Sequence, residues 1–390
     1  MEVFSIAVLL FSFLLLLSLG TPVAWSIIIS SLFTLLVSVP FLPALTTISQ
    51  RMATGIDSFA LLAIPFFILS GELMNKGGVA HRLVAFAKAL VGFLPGGLAL
   101  INVISAMLMG SVAGSAMASA SAMGSILGPE MEKEGYSKGF GVAINITSAT
   151  TGLVIPPSNI LIVYSLASGG ASIAALFLAG YIPGILTGLF LMAVAMIWAK
   201  KKNFKTGKRA PLKTVFSSFV RAFPSLMLLF VVIGGIVSGV FTATEASAIA
   251  VIYTLVLGFV YKEITFKTLP TILLKSSTTT AIVMFLIGAS MSMSWVLSYE
   301  NIPEMISSGI LSLSDNKIVI LLLINFTLLF VGIFMDMTPA VLIFTPIFLP
   351  IVTQLGIDPV HFGIIMILNL CIGLCTPPVG SVLFFGVGVA

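Results

Sequence analysis

Long apolar runs follow one another along almost the whole chain, and charged residues are confined to the short stretches between them. An α-helix needs about 20 apolar residues to cross a bilayer. The composition agrees, because 59% of the 390 residues are apolar and only 8% are charged. The sequence therefore predicts an all-α polytopic membrane protein with roughly ten crossings. It excludes a soluble enzyme, a nucleic-acid binder and a secreted disulfide scaffold.

The basic residues indicate which side of the membrane each loop faces. Residues 200–221 contain eight Lys and Arg and no acidic residue, which is typical of a cytoplasmic loop. Residues 76–96 alternate basic and apolar side chains at helical spacing and predict an interfacial helix. With 200–221 in the cytoplasm, all of the 18 Lys and Arg residues except Arg51 and Lys317 fall on the cytoplasmic side.

Two apolar stretches have centres that are unusual for a straight membrane helix. Residues 98–128 contain the small-residue segment 110–115 at their centre, and residues 318–352 are interrupted by Met335-Asp-Met-Thr-Pro339. Irregular backbone at membrane depth occurs only where it is buried in protein or lines a cavity. We therefore expect two re-entrant helical hairpins. For the first stretch the alternative is a single span with a small-residue packing face.

Two further helices contain a double proline. Pro156-Pro157 lies within residues 137–168, and Pro377-Pro378 lies within residues 361–390. Adjacent prolines remove two backbone donors and clash with the preceding turn. Each helix is therefore predicted to be broken near its middle.

The two halves of the chain repeat these features in the same order. An odd number of predicted spans separates the hairpins, so the first opens to the cytoplasm and the second to the outside. This pattern predicts inverted-topology repeats, which are typical of secondary transporters. The shift that places Pro129 on Pro350 also places Gly135 on Gly356, Gly152 on Gly373, Ser115 on Asp336 and Pro156-Pro157 on Pro377-Pro378.

The interrupted helices supply the predicted binding sites. Unpaired carbonyls at a helix C-terminus suit a cation such as Na⁺, and unpaired N–H groups at an N-terminus suit a carboxylate. One Na⁺ site is predicted in each half. The candidate ligands are Gly114, Ser115, Gly152, Ile155, Pro157 and Ser158 in the first half, and Met335, Asp336, Thr338, Gly373, Thr376 and Pro378 in the second. The predicted substrate contacts are Ser115, Asn159, Thr338, Gly380 and Ser381.

Asp336 is the one acidic residue in the middle of an apolar run. An ionisable residue at membrane depth is a functional-site hypothesis, here as a ligand of a coupling ion. The alternative is a helix N-cap that accepts a hydrogen bond from the N–H of Thr338 or the residues after it. Glu245, three residues after Thr242 at the start of a span, is predicted to cap that helix rather than to contact substrate.

Several motifs point to a known family. They are Gly55 to Phe67, Ser70-Gly-Glu72-Leu-Met, Gly77 to Arg82, Leu94-Pro-Gly-Gly97, Gly110 to Ser115, Pro129-Glu-Met131 with Gly135-Tyr136, Ile155-Pro-Pro-Ser158, and Gly239 to Ala246. Together they resemble the large membrane subunit of the tripartite ATP-independent periplasmic (TRAP) transporters, over nearly all of the chain.

The resemblance implies a multi-pass protein of the bacterial inner membrane that imports a small organic acid of the sialic acid or C4-dicarboxylate class. It implies an elevator mechanism driven by a Na⁺ gradient, a separate small transmembrane subunit, and a periplasmic substrate-binding protein. No cofactor is expected apart from two or more Na⁺ as coupling ions. A stand-alone Na⁺- or H⁺-coupled carboxylate symporter is the alternative. A channel or a non-transporting membrane scaffold ranks lower, because it would need no symmetric broken helices. A membrane enzyme ranks lower because the sequence offers no nucleophile–base constellation or set of metal ligands.

With this resemblance, each segment can be given a role. Because a counterpart of span 172–199 is expected after the second double proline, we predict a further span of roughly 30 residues beyond residue 390. The predicted domains are 1–57, scaffold spans; 58–97, a scaffold span and interfacial arm helix; 98–199, the first transport-domain half with hairpin 98–128, broken helix 137–168 and span 172–199; 200–221, a basic cytoplasmic linker; 222–316, scaffold spans and arm helices; and 317–390, the second transport-domain half with hairpin 318–352 and broken helix 361–390.

Overall fold

The computed structural model describes residues 2–202, 204, 206–207, 209–313 and 316–389. The described residues form helices and their connections, and none of them forms a strand. The expected all-α class is confirmed. A 3-10 helix spans Phe59–Leu62, and the α-helices are α1 Glu2–Ser18, α2 Val23–Leu35, α3 Phe41–Gly55, α4 Ala63–Lys76, α5 Val79–Val91, α6 Gly97–Ala113, α7 Ala116–Lys133, α8 Lys138–Val154, α9 Asn159–Ala167, α10 Ile173–Lys201, α11 Leu212–Val237, α12 Ala243–Val260, α13 Leu269–Tyr299, α14 Ile302–Leu313, α15 Lys317–Phe334, α16 Met337–Gln354, α17 Pro359–Gly373 and α18 Ser381–Val389.

Seven helical segments in the described ranges are long and apolar enough to cross a bilayer, and the bent pair α8 and α9 makes an eighth. The protein is therefore a multi-pass membrane protein. The count of seven or eight uses helix length and composition alone, and it leaves out α1 and α2, which have 17 and 13 residues. The expectation of roughly ten crossings therefore stays a prediction. Pro22 and Pro40 precede α2 and α3 and end the helical runs before them, because a residue before proline disfavours the helical conformation.

Two helices, α3 and α11, extend beyond what the apolar runs indicate. The sequence analysis missed α3, which buries Ala44 and Ile48 and places the Arg51 guanidinium 4.8 Å from the centre of the Trp295 ring. Residues 200–221 were predicted to be one linker, but α11 already begins at Leu212. Phe219 of α11 packs on Phe86 of α5 with ring centroids 5.6 Å apart, so tertiary packing explains the extra helix.

The helices pack as two groups. One group contains α1–α5 and α11–α14, with α12 against α4 and α13 against α2, α3 and α4. The other contains α6–α10 and α15–α18, with α8 between α6, α7 and α10, and α17 between α15 and α10. The two groups meet where α4 and α5 contact α6, and where α13 and α14 contact α16. All interrupted helices lie in the second group.

Buried amides connect equivalent helices in the two halves of the second group. The Ser148 hydroxyl of α8 donates to Asn102 Oδ1 of α6 at 2.9 Å. The Asn369 amide of α17 donates to Asn325 Oδ1 of α15 at 2.7 Å. Side-chain hydrogen bonds of this kind hold membrane helices together. Each pair therefore joins a broken helix to the first helix of the corresponding predicted hairpin.

A buried tyrosine hydroxyl makes one of the hydrogen bonds between the two halves. Tyr164 is fully buried on α9, and its hydroxyl donates to the carbonyl of Pro359 at the start of α17, at 2.6 Å. Tyr164→Phe leaves that carbonyl without its partner, and we expect a loss of about 1–2 kcal/mol of unfolding free energy. Thermal unfolding of the purified protein measures this loss. Tyr299→Phe, at an exposed tyrosine, is the matched control, and an equal effect of the two changes would contradict the prediction.

Candidate functional site

The small-residue segment of the first hairpin is a sharp reversal between α6 and α7. Gly114 has φ +59°, which only glycine adopts at little cost. Ser115 then caps α7, because its hydroxyl accepts a hydrogen bond from Ala118 N at 3.3 Å. The Ser119 hydroxyl donates to the Ala106 carbonyl across the reversal, also at 3.3 Å. The two helices therefore fold back on each other and leave residues 114–115 at the tip.

Met335 and Asp336 lie at the junction between α15 and α16, where the tip of the second hairpin is predicted. Asp336 occupies the N-cap position of α16, but its carboxylate makes no capping hydrogen bond. The predicted N-cap bond to Thr338 is therefore wrong. Instead, Asp336 Oδ1 accepts from the Ser381 hydroxyl at 3.4 Å, at the start of α18. The neighbouring second broken helix thus supplies a partner for the Asp336 carboxylate.

Both double prolines coincide with a break. In the first, α8 and α9 are bent by 51°, and the Ser158 hydroxyl donates to the Leu153 carbonyl at 2.5 Å. In the second, residues 374–380 separate α17 from α18. There Gly380 N donates to the Ile333 carbonyl of α15 at 2.9 Å. At each break, a hydrogen bond to a backbone carbonyl therefore holds the interrupted segment in place.

Glycines let each broken helix touch the backbone of its hairpin. A Cβ atom on Gly152 of α8 would lie 2.4 Å from Gly110 Cα of α6. A Cβ atom on Gly373 of α17 would lie 2.7 Å from Gly332 Cα of α15. Both distances are far below van der Waals contact, so only glycine fits. As a result, the C-terminal ends of α6 and α8, and those of α15 and α17, lie side by side.

A cavity of about 590 Å³ lies between the two groups of helices. The first turns of α7, α9, α16 and α18 border it. Helix N-termini present unpaired N–H groups and the positive end of the helix dipole, so they favour an anion. Its lining includes Glu72, Asn75, Lys76, Gly114, Ser115, Ala118, Asn159, Lys275, Thr279, Asp336, Met337, Thr338, Leu374, Val382 and Phe385.

The structure brings together only some of the predicted site residues. Five of them line the cavity: Gly114, Ser115, Asn159, Asp336 and Thr338. The others lie outside its lining: Gly152, Ile155, Pro157, Ser158, Met335, Gly373, Thr376, Pro378, Gly380 and Ser381. Of the latter, Ser381 still contacts Asp336, and Gly152 and Gly373 pack on the helices that lead to the two tips.

Asn159 connects the first break to the first tip. A Cβ atom on Gly114 would lie 2.8 Å from Asn159 Nδ2, so the amide rests directly on the tip. Asn159 Oδ1 is buried and has no hydrogen-bond partner in the structure. An unpaired buried acceptor is costly, and such a group needs an explanation. This oxygen is therefore free to accept from a ligand or to coordinate a cation.

The sequence analysis missed the charged residues that α4 and α13 contribute. Lys275 Nζ lies 2.9 Å from Glu72 Oε2, and both residues line the cavity together with Lys76. Glu72 lies inside the apolar run at residues 58–75, and a carboxylate inside such a run was a usable signal. Its position near the end of that run made it less conspicuous than Asp336.

The capping role predicted for Glu245 is confirmed, because Glu245 Oε2 accepts a hydrogen bond from Thr242 N at 2.8 Å in a capping box.

Comparison with known proteins identifies the family. The family described as tripartite ATP-independent periplasmic transporter, DctM component, matches residues 10–390. The chain belongs to this family, as the large permease subunit of a TRAP transporter.

Three relatives illustrate this placement. The chain is 57% identical to the uncharacterized protein YgiK of Salmonella typhimurium, over 99% of this chain and 89% of that protein. It is 41% identical to the C4-dicarboxylate TRAP transporter large permease protein DctM of Pseudomonas aeruginosa, over 84% and 77% of the two chains. It is 39% identical to the sialic acid TRAP transporter large permease protein SiaM of Vibrio cholerae, over 96% and 87%.

The fold is shared more widely than the sequence. A crystal structure of the YdaH transporter of Alcanivorax borkumensis superposes with a TM-score of 0.64, over 91% of this chain and 82% of that chain, at 14% sequence identity. This likeness concerns the arrangement of helices alone.

Proposed function

We propose that this chain is the permease of a Na⁺-driven importer for a small organic acid of the C4-dicarboxylate or sialic acid class. It acts in the bacterial inner membrane, together with a small transmembrane subunit and a periplasmic binding protein that delivers the substrate. The single observation that carries the proposal is the cavity bordered by the N-termini of four interrupted helices. The relatives named for sialic acid and C4-dicarboxylates support the same substrate class.

The substrate occupies the cavity between the two groups of helices. Its volume of about 590 Å³ is within the range of about 300–1,000 Å³ of small-molecule sites. A carboxylate of the substrate accepts hydrogen bonds from backbone N–H groups at the starts of α7 and α16, beside Ser115 and Thr338. Asn159 adds an amide at the first tip. Because most of these contacts come from backbone N–H groups, they select for an anionic group rather than for one particular molecule.

Na⁺ ions occupy the two places where helix C-termini are packed together. One site uses carbonyls near the ends of α6 and α8, around residues 110–115 and 152–158. The other uses those of α15 and α17, with the Asp336 carboxylate. The glycine contacts between these helices support both sites, because close backbones let carbonyls of two helices reach one ion. Each net positive charge that moves inward gains about 2.3 kcal/mol per 100 mV, so two Na⁺ make the uptake of a monoanion voltage-driven, whereas a dianion needs a third Na⁺ for the same gain.

Transport proceeds by an elevator movement of one group of helices against the other. The moving group contains both hairpins and both broken helices, α6–α10 and α15–α18. The remaining helices form the scaffold, which the small subunit enlarges. The arm helices α5 and α14 contact α6 and α16, where the two groups meet. They are the elements across which the groups shift.

Na⁺ is expected to stabilise the protein selectively. A ligand at ten times its dissociation constant raises the unfolding free energy by about 1.4 kcal/mol. We expect a saturable rise in unfolding temperature with Na⁺, when K⁺ or choline keeps the ionic strength constant. Ser115→Ala removes a hydroxyl from the first tip and should reduce this rise. Ser125→Ala, at an exposed position on the same helix, should leave it unchanged.

Two other results would redirect the proposal. A flat response to Na⁺ contradicts the sodium sites and favours proton coupling through Asp336. Uptake of free substrate into proteoliposomes in the absence of a binding protein favours the stand-alone symporter. For the proposed tripartite transporter, uptake should require the loaded binding protein on the outer face.

A further inference from the structure

An ion pair on the scaffold side of the cavity differs from the other ion pairs that the structure describes. Lys275 Nζ of α13 lies 2.9 Å from Glu72 Oε2 of α4. The Glu72 side chain is only 13% exposed, whereas that of Lys275 is 60% exposed. The two other ion pairs in the described part of the chain join side chains that are about half exposed or more. Glu72 is thus a mostly buried acid whose cation reaches into open space.

The ion pair with Glu72 leaves Lys275 with unused hydrogen-bond donors. A buried carboxylate needs a partner, but an ion pair within the protein adds little stability over an apolar pair of similar volume. The Lys275 ammonium has three N–H donors, and Glu72 Oε2 is the only hydrogen-bond acceptor the structure gives it within the described residues. Its exposure to the cavity leaves the other donors available to a bound molecule.

The cavity therefore has two places that favour negative charge, on opposite groups of helices. The four helix N-termini belong to the group with the hairpins, and Lys275 belongs to the scaffold. Lys76 also lines the scaffold side. A molecule with one carboxylate satisfies only one of the two places. A molecule with two separated carboxylates satisfies both.

We propose that Lys275 binds the second acidic group of the substrate and selects dicarboxylates over monocarboxylates. Glu72 positions the ammonium in the empty cavity and is displaced in part by the incoming carboxylate. This inference rests on the proposed function, because it assumes that the cavity takes an organic acid. It makes Lys275 a specificity-determining residue contributed by the scaffold.

The test compares two acids that share a four-carbon chain, succinate with two carboxylates and butyrate with one. Thermal unfolding of the purified full chain gives an apparent dissociation constant for each. We expect Lys275→Gln to weaken succinate binding by about tenfold or more, equivalent to about 1.4 kcal/mol, and to leave butyrate binding within about twofold. Glu72→Gln should leave succinate binding unchanged or tighter, because it removes the competitor for Lys275. Lys267→Gln, which removes a charge outside the cavity, is the matched control.

The double variant Glu72→Gln/Lys275→Gln separates binding from folding. It removes both charges, so no unpaired buried carboxylate remains to destabilise the protein. We expect it to keep the succinate defect. Restored succinate binding in the double variant would mean that Lys275 only neutralises Glu72, and it would overturn the inference. An equal loss for succinate and butyrate in Lys275→Gln would overturn it as well.

A failure of the proposed function has a different signature. In that case neither acid stabilises the wild-type chain, with Na⁺ present, at any concentration up to the millimolar range. If both acids stabilise the wild type and Lys275→Gln changes neither, the organic-acid cavity stands and the role of Lys275 is refuted.

Discussion

Asp336→Asn is expected to weaken Na⁺ binding by about a hundredfold, equivalent to about 2.7 kcal/mol. Asp336 faces the cavity at the second hairpin tip, and it makes no capping hydrogen bond to α16. Its negative charge is therefore available to a cation. Removing one member of a desolvated charge pair commonly costs about 2–5 kcal/mol. The measurement is the Na⁺ dependence of the unfolding temperature, which should be nearly lost in the variant.

Asp358→Asn provides a matched control for this prediction. Asp358 is also an N-cap aspartate, but its Oδ1 accepts a real capping hydrogen bond from Val360 N at 2.8 Å. Asparagine caps a helix about as well as aspartate, so this variant should keep its response to Na⁺. Without Na⁺, Asp336→Asn should unfold at the wild-type temperature. A wild-type Na⁺ response in Asp336→Asn would exclude the carboxylate from the ion site.

Adding a methyl group at Gly152 is expected to have the largest effect on stability. Gly→Ala inside a helix normally stabilises by about 0.5–1 kcal/mol. At Gly152 the new Cβ atom would lie 2.4 Å from Gly110 Cα and 3.0 Å from Ser111 N. These are backbone atoms, which cannot rotate away, so α6 and α8 must separate. We expect a net loss of about 2 kcal/mol or more, together with loss of the Na⁺ binding proposed for the first half.

The same change at two other glycines tests whether contact of the new Cβ atom with backbone atoms causes the loss of stability. Gly373→Ala should behave like Gly152→Ala, because its Cβ atom would lie 2.7 Å from Gly332 Cα in the other half. Gly128→Ala, inside α7, meets no atom within 4 Å. It should be neutral or slightly stabilising. The measurement is the unfolding temperature of each of the three variants. Equal unfolding temperatures of Gly128→Ala and Gly152→Ala would refute the packing argument.

The interruptions of the helices were predictable because their causes are local. The double prolines at 156–157 and 377–378 mark the two breaks, which the structure places at residues 155–158 and 374–380. The glycine at position 114 marks the first hairpin tip, where its φ angle is +59°. The capping box of Thr242 and Glu245 was readable for the same reason, since its partners are three residues apart.

Other features were not predictable, because their partners are far apart in the chain. Glu72 and Lys275 are separated by 203 positions, and the sequence around one residue does not indicate that the other is its partner. The short helix α3 gains its stability from α13, where Arg51 meets Trp295. Hydropathy alone also does not show where α1 and α2 end.

By itself, the sequence determined the membrane class, the family, and the places where helices are interrupted. Hydropathy, proline and glycine act within one or two turns, so the order of residues is enough to read them. Only the tertiary structure decided which helix ends share one cavity, that Asp336 faces it without a capping bond, and that Lys275 and Glu72 line its other side. These outcomes depend on how α4, α13 and α16 pack, and packing is decided by contacts between residues distant in the chain.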